Sequence, residues 1–192
     1  MKKFAIFASG SGSNAEAIWH AIDRGDLSGE CALLVTDKPE AKVLERAERF
    51  DVKSFSFEPK AYASKAEFEQ EILVLLQTLG VDYIVLAGYM RLIGDVLLEA
   101  YPKQIINIHP SLLPAFPGKD AIGQALTANV PTSGVTVHYV DAGMDTGPII
   151  AQREVSIQGC DTSEATRRIQ AIEHELYPAV LQQVFIKQEV FK

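Results

Sequence analysis

Cysteine is scarce in this chain of 192 residues, which contains only Cys31 and Cys160. Two cysteines this far apart form neither a disulfide framework nor the closely spaced pairs of a zinc site. The four histidines occur singly, and no His-Glu-x-x-His motif is present. We therefore expect no metal, and we expect reduced thiols in a cytoplasmic protein.

Long apolar stretches and an excess of basic charge are also missing. No apolar run approaches the roughly 20 residues that a membrane-spanning helix requires. The first residues, MKKFAIFASG, break into glycine and serine after Ala8, too early for the apolar region of a signal peptide, so we predict a strand there. The net charge of −7 argues against a general nucleic-acid-binding protein, which normally has a basic face. The sequence thus predicts neither a nucleic-acid partner nor a membrane partner.

Apolar, strand-like runs alternate with amphipathic segments of helical periodicity along the first half of the chain. We predict strands at 4–8, 31–35, 52–57, 81–87 and 105–108, and helices at 14–22, 42–50, 65–79, 93–100 and 121–128. Two later runs, 134–140 and 148–155, should pair antiparallel, and 162–187 should form a closing helix that Pro178 disturbs. This order indicates a single-domain α/β fold, an open doubly wound, mostly parallel, Rossmann-like sheet with an antiparallel C-terminal strand pair.

Ligands of such sheets bind beyond the carboxyl ends of the strands, which points to the loops 9–14, 88–93 and 107–118. The first loop, SGSGSN, opens a helix, where glycines allow close backbone approach and free N–H groups favour an anion. It matches neither the Gly-x-Gly-x-x-Gly pattern nor the P-loop, so a phosphate monoester is favoured over a dinucleotide. The alternative is a tight turn in which Ser13 or Asn14 caps the helix.

The second loop lies in the stretch AGYMRLI, which leaves the fourth predicted strand. Its residues Met90, Leu92 and Ile93 could line an apolar slot for a flat heterocycle. The alternative, which is favoured when this loop is considered alone, is a buried turn with an exposed Arg91.

The third loop, NIHPSLLPAFPG, presents an asparagine and a histidine just before three prolines. Asn107 and His109 are two residues apart, so their side chains share one face of an extended segment. An asparagine amide donates to a developing oxyanion, and a histidine donates as imidazolium or moves a proton. The prolines restrict the backbone and keep the pair oriented, and Leu113–Pro114 is the candidate for a cis bond.

A carboxylate partner for His109 is expected in the glycine-rich loop DAGMDTG, between the last two strands. Asp145 in this loop could reach across the strand ends, stabilise the protonated imidazole and relay a proton through water. The alternatives are a histidine bonded to backbone and an aspartate that only shapes a turn. We interpret His20, His138 and His174 as unremarkable, on an exposed helix face, within a strand and on the last helix.

The segment Asn107-Ile108-His109-Pro110-Ser111-Leu112-Leu113-Pro114, with Asp145 downstream, resembles the core of the folate-dependent formyltransferases. The resemblance covers nearly the whole chain and implies an enzyme with 10-formyltetrahydrofolate as co-substrate and Asn107, His109 and Asp145 as catalytic residues. It also implies a folate site made of Lys65, where relatives often have arginine, together with Met90, Arg91, Leu92, Ile93, Asn107, Val140, Asp141 and Asp145.

Three features favour the branch of this family that formylates the amine of 5'-phosphoribosylglycinamide in purine biosynthesis. Ser9–Asn14 is similar to its phosphate loop, Glu173 resembles its acidic contact to that substrate, and the chain near 190 residues is expected to lack the extra domains of other branches. Gly12, Ser13 and Asn14 would then bind the phosphoribosyl end. The resemblance implies a phosphate-binding half at 1–100 and a catalytic, folate-binding half at 101–192.

Two other functions stay open at this point. A formyltetrahydrofolate hydrolase would use water in place of the amine. A nucleotide- or phosphate-binding module without chemistry would need only the loop rich in serine and glycine. Monomer and homodimer are both compatible with the sequence.

Overall fold

The computed structural model describes residues 1–187 and contains one sheet with helices on both faces. The strands are β1 (Lys2–Phe7), β2 (Gly29–Thr36), β3 (Ser54–Ser56), β4 (Tyr83–Leu86), β5 (Ile105–His109), β6 (Thr132–Tyr139) and β7 (Ile149–Ser156). The helices are α1 (Ser13–Asp23), α2 (Val43–Arg49), α3 (Lys65–Leu79), α4 (Asp95–Ala100), α5 (Ala121–Thr127) and α6 (Thr162–Lys187), with a 3-10 turn over Pro59–Ala61. Within residues 1–187, no helix combines the length and apolar character needed to cross a membrane.

The seven strands lie in the order β3-β2-β1-β4-β5-β6-β7. The first five in chain order are parallel, and β6 and β7 form the predicted antiparallel pair. The predicted α/β fold is therefore confirmed. One further reversal occurs between β5 and β6, which also pair antiparallel and bring Asn107 opposite His138.

Alternation along the central strand separates two apolar cores, one on each face of the sheet. Phe4 and Ile6 of β1 pack with α1, α2, α5 and α6, whereas Ala5 and Phe7 pack with α3 and α4. Both faces are buried, as expected for parallel strands covered by crossover helices. Loops lie at the polar edge formed by the carboxyl ends of the parallel strands, and ligands of such folds bind at this edge.

Tyr177 fixes the closing helix to the sheet. Its hydroxyl group lies 2.8 Å from the carbonyl oxygen of Leu86, the last residue of β4, and 3.0 Å from that of Ile106 in the neighbouring strand β5. The expectation that Pro178 disturbs α6 is wrong, because the helix continues through this residue. Buried side chains on both sides of Pro178, including Tyr177 and Leu181, hold the helix against the core despite the missing N–H.

Tyr177→Phe should lower the free energy of unfolding by about 1–2 kcal/mol, because the buried carbonyl groups lose their donor. Urea denaturation at neutral pH measures this loss. Tyr62→Phe is the control, because the Tyr62 hydroxyl bonds Glu71 at the surface, and it should change stability by less than about 0.5 kcal/mol. Equal stability of Tyr177→Phe and the unmodified chain would contradict the assigned role.

Candidate active site

A cleft of about 680 Å³ opens at the carboxyl ends of the parallel strands, where the three predicted loops meet. The predicted site residues that line it are Gly12, Ser13, Asn14, Met90, Arg91, Leu92, Ile93, Asn107, His109, Val140, Asp145 and Glu173. Lys65 and Asp141 are not among the lining residues. Polar side chains that also line the cleft and that sequence reasoning did not assign to the site include His138, Thr162, Thr166 and Gln170.

His138 orients the side-chain amide of Asn107. Its Nδ1 lies 2.8 Å from the carbonyl oxygen of Tyr139 and donates to it, and in the tautomer protonated only at Nδ1 the Nε2 atom is an acceptor. The Asn107 Nδ2 atom lies 3.2 Å from this Nε2 and donates to it. One amide N–H of Asn107 is used in this way, and the second stays free for a ligand.

The interpretation of His138 as unremarkable is therefore wrong. The residue is only 2% exposed and lies across the sheet from Asn107 because β6 pairs antiparallel with β5. A signal was present in the sequence GVTVHYV. Val135 and Val137 share one face of the strand, so Thr136 and His138 share the other, polar face. That face alone does not identify the neighbouring strand, and so the contact could not be inferred.

The imidazole of His109 lies between two acceptors. Its Nε2 is 2.9 Å from the carbonyl oxygen of Phe116, to which it donates, and its Nδ1 is 3.5 Å from Oδ2 of Asp145. An imidazole that donates to both of these acceptors must carry a proton on each ring nitrogen. The 3.5 Å separation exceeds the 2.7–2.9 Å typical of a charge-assisted hydrogen bond, so an Nδ1–H group is held only weakly.

The side chain of Asp145 contacts residues of β5, of β6 and of the loop before α5. Its Oδ2 atom accepts from the N–H of Gly118 at 2.8 Å, and its Oδ1 atom lies 3.7 Å from Nε2 of His138. Burial by itself raises the pKa of Asp145, but the interactions with His138 and Gly118 and the charge of His109 outweigh it and lower this pKa. The carboxylate form is therefore favoured at neutral pH, as a partner for an imidazolium requires.

The first loop has the conformation of an anion site. Gly12 adopts φ = 77°, and a Cβ atom there would collide with Val43, so only glycine is compatible with this turn. Among residues 1–187, no side-chain hydrogen bond caps the start of α1, contrary to the capping alternative for Ser13 and Asn14. The first N–H groups of the helix therefore face the cleft, where they favour a negative charge.

Two loops with apolar side chains face each other across the other end of the cleft. Met90 and Leu92 follow β4, Met144 precedes β7, and all three are at least half exposed. Exposed large apolar side chains grouped at a cleft are typical of a ligand site. Lys65 contacts this loop, because its Nζ donates to the carbonyl oxygen of Leu92 at 2.9 Å, and its contact to the folate stays a prediction.

Glu173 is a buried carboxyl group at the phosphate end of the cleft. It is 7% exposed, and its Oε2 atom accepts from Nδ2 of Asn14 at 3.2 Å. Burial raises the pKa of Glu173 to about 7, and the hydrogen bond from Asn14 opposes this only in part. The group therefore exchanges a proton near neutral pH and can bind a hydroxyl or an amino group of a ligand.

A glycine-rich loop at a helix start, an amide and imidazole pair, and exposed apolar side chains in one cleft suit group transfer on an α/β sheet. The family model for formyl transferases matches residues 2–181, and the chain belongs to this family. It is 60% identical over 185 residues to phosphoribosylglycinamide formyltransferase of Bacillus subtilis, with 96% of this chain and 95% of that protein covered.

Solved structures agree with this assignment. Glycinamide ribonucleotide transformylase 1 of Geobacillus kaustophilus superimposes with a TM-score of 0.94 at 61% identity, over 96% of this chain and 98% of that one. Phosphoribosylglycinamide formyltransferase of Bacillus halodurans gives a TM-score of 0.92 at 56% identity, over 95% of each chain. The predicted family, fold and formyl-transferring enzyme are confirmed, whereas the roles of individual residues stay predictions.

His138→Phe should lower kcat by about tenfold, because the Asn107 amide loses the acceptor that orients it. Steady-state assays of formyl transfer measure the effect. His20→Gln, on the exposed face of α1, is the control and should leave kcat unchanged. A His138→Phe protein with normal kcat would show that Asn107 is oriented by other contacts.

Glu173 should make stability depend on pH in a specific direction. The pKa of Glu173 in the folded protein lies near 7, above the ordinary value of 4.5. Its contribution to the free energy of unfolding is therefore fully present below pH 4.5 and is lost as the pH rises through 7. Relative to Glu173→Gln, the unmodified protein should thus be destabilised by roughly 3 kcal/mol at about pH 8, and little at about pH 4.5.

Urea denaturation of both proteins across this range measures the difference. Glu175→Gln is the matched control, because Glu175 lies on the exposed side of the same helix and pairs with Arg153. It should show no such pH dependence. A constant difference between the unmodified protein and Glu173→Gln at every pH would contradict the prediction.

Proposed function

We propose that this enzyme transfers the formyl group of 10-formyltetrahydrofolate to the amine of 5'-phosphoribosylglycinamide, a step of purine biosynthesis. The observation that carries the proposal is the convergence of Asn107, His109 and Asp145 in one cleft with the Gly12 loop. A loop for a phosphate and a set of donors for an oxyanion are both needed for this reaction.

The phosphoribosyl end of the amine substrate fits the first loop. Gly12, Ser13 and Asn14 present the start of α1 to a phosphate, whose charge the helix N-terminus stabilises. Glu173 lies beside Asn14 and faces the remainder of that substrate, where it accepts from hydroxyl or amino hydrogens. The amine is thereby directed along the cleft towards Asn107 and His109.

The formyl donor fits the other end of the cleft. Met90, Leu92 and Ile93 form one wall and Val140 with Met144 the other, which suits a flat heterocycle held between apolar side chains. Arg91, and Lys65 after release from Leu92, supply positive charge near the cleft mouth for the carboxylates of a folate. Asp141, outside the lining, bonds Gly143 and Thr146 and shapes this wall instead.

The folate supplies the formyl carbon, and attack by the amine places negative charge on the formyl oxygen. The free N–H of Asn107 and the weakly held Nδ1–H of His109 lie in the cleft where they stabilise this charge. Asp145 stabilises the imidazolium and accepts the proton lost by the amine, which passes through water to the leaving nitrogen. Holding both substrates in one cleft removes much of the entropic barrier.

The proposal assigns no metal to this reaction, because Asn107 and His109 supply the positive and polar groups that the oxyanion needs. Among the described residues 1–187, no group of three or more His, Cys, Asp and Glu side chains forms a metal site. We propose a cytoplasmic enzyme that acts as a monomer or a homodimer. Light scattering after size-exclusion chromatography distinguishes these two states.

Asn107→Ala, His109→Ala and Asp145→Ala should each lower kcat by at least ~100-fold, as removal of an oxyanion donor or its support typically does. Formyl transfer with both substrates measures this, and Asp26→Ala, in a surface ion pair with Arg24, is the control. Near-normal turnover by Asp145→Ala would remove its assigned role. Formyl release without 5'-phosphoribosylglycinamide would instead favour the hydrolase.

A further inference from the structure

A buried carboxylate next to the cleft has no part in the chemistry described so far. Asp37 directly follows β2 and is only 7% exposed. Buried charges are costly and are rarely found without specific partners. The sequence position of Asp37, at the end of the second strand, suits a ribose ligand, but its side chain is directed to Ser9 and not into the cleft.

Ser9 links Asp37 to the loop that follows β4. The Ser9 hydroxyl donates to Oδ1 of Asp37 at 2.5 Å and accepts from the N–H of Met90 at 2.9 Å. The backbone N–H of Ser9 also donates to the carbonyl oxygen of Gly88 at 3.0 Å. A hydroxyl group has one proton, so its donation to Asp37 leaves a lone pair for the Met90 N–H.

The second carboxylate oxygen of Asp37 faces Arg91, the cationic residue of the same loop. The Arg91 guanidinium lies 3.8 Å from Oδ2 of Asp37, and its Cζ atom lies 5.6 Å from the centre of the Phe68 ring. Arg91 is thus held between a carboxylate and an aromatic face. Through Ser9 and Arg91, one carboxylate therefore restrains the backbone at Met90 and the direction of the next side chain.

We propose that Asp37 is a positioning residue, which sets the folate-binding loop Gly88–Ile93 relative to the phosphate loop that begins at Ser9. This inference rests on the proposed function, since it takes the loop to bind folate. A site whose walls are fixed before binding loses less entropy on binding. Asp37 therefore contributes to folate affinity without touching the folate, and the phosphate end does not depend on it, because Gly12 is held by its own turn.

The test compares Asp37→Asn, Asp37→Ala and Ser9→Ala by calorimetric titration with tetrahydrofolate and, separately, with 5'-phosphoribosylglycinamide. Asp37→Ala and Ser9→Ala should each raise the Kd for tetrahydrofolate by about tenfold, the effect of losing one charge-assisted hydrogen bond. Asp37→Asn keeps an oxygen for Ser9 and should raise it by roughly threefold, through the lost attraction to Arg91. The Kd for 5'-phosphoribosylglycinamide should stay within about twofold in Asp37→Asn and Asp37→Ala, because these variants leave every residue of the phosphate loop unchanged.

Asp82→Asn is the matched control. Asp82 is a half-buried carboxylate that accepts from the N–H of Lys3, at the opposite edge of the same sheet, and its replacement should lower stability only. The double variant Ser9→Ala/Asp37→Ala should weaken tetrahydrofolate binding by less than the product of the two single effects, because both single variants already remove the Ser9–Asp37 hydrogen bond.

Equal weakening for both ligands, or unchanged tetrahydrofolate affinity in folded Asp37→Asn and Ser9→Ala, would overturn the inference. Circular dichroism establishes folding, and if Asp37→Ala does not fold, the other two variants decide. Failure of the unmodified protein to bind tetrahydrofolate would instead overturn the proposed function.

Discussion

The Asp145 carboxylate is the interaction on which the geometry of the active site depends. Its two oxygens contact the N–H of Gly118 and the imidazoles of His109 and His138, and these groups come from β5, β6 and the loop before α5. Without this carboxylate, the N–H of Gly118 would lose its acceptor and Nδ1 of His109 would lose the nearby negative charge in a half-buried site. The carboxylate of Asp145 thus positions the donor groups of the site and also stabilises His109 when this residue is protonated. Its effects on geometry and on charge therefore cannot be separated.

The sheet makes this arrangement possible through one reversal of direction. Parallel strands bring the loops Ser9–Asn14 and Gly88–Ile93 and the side chain of Asn107 to the same edge, as the doubly wound topology requires. Because β6 runs antiparallel to β5, His138 lies opposite Asn107, and the following loop returns to the cleft with Asp145. Tyr177 bonds carbonyl groups of the neighbouring strands β4 and β5 and fixes α6 against the sheet, so that Glu173, one turn earlier, lines the cleft.

The sequence was most informative about site residues that lie in segments rich in glycine or proline. Asn107, His109 and Gly12 lie in segments whose glycines and prolines restrict the fold locally, and the cis bond at Leu113–Pro114 was anticipated for the same reason. His138 and Asp37 could not be assigned, because their roles come from neighbours 31 and 28 residues away in the chain. Periodicity predicts which face a side chain occupies, whereas register between strands decides what it meets.

An acidic protein that binds two anionic substrates must create positive potential locally. The net charge of −7 gives no attraction at long range, so the groups that can supply positive potential at the cleft are the start of α1, Arg91 and, when it is protonated, His109. The acidic groups near the cleft are arranged so that they do not cancel this potential. Asp37 faces Arg91 and Asp145 faces His109, while burial raises the pKa of Glu173 to about 7, so that its charge is partly suppressed beside the phosphate loop. The placement of each carboxylate, rather than the overall charge, thus determines which ligands the cleft admits.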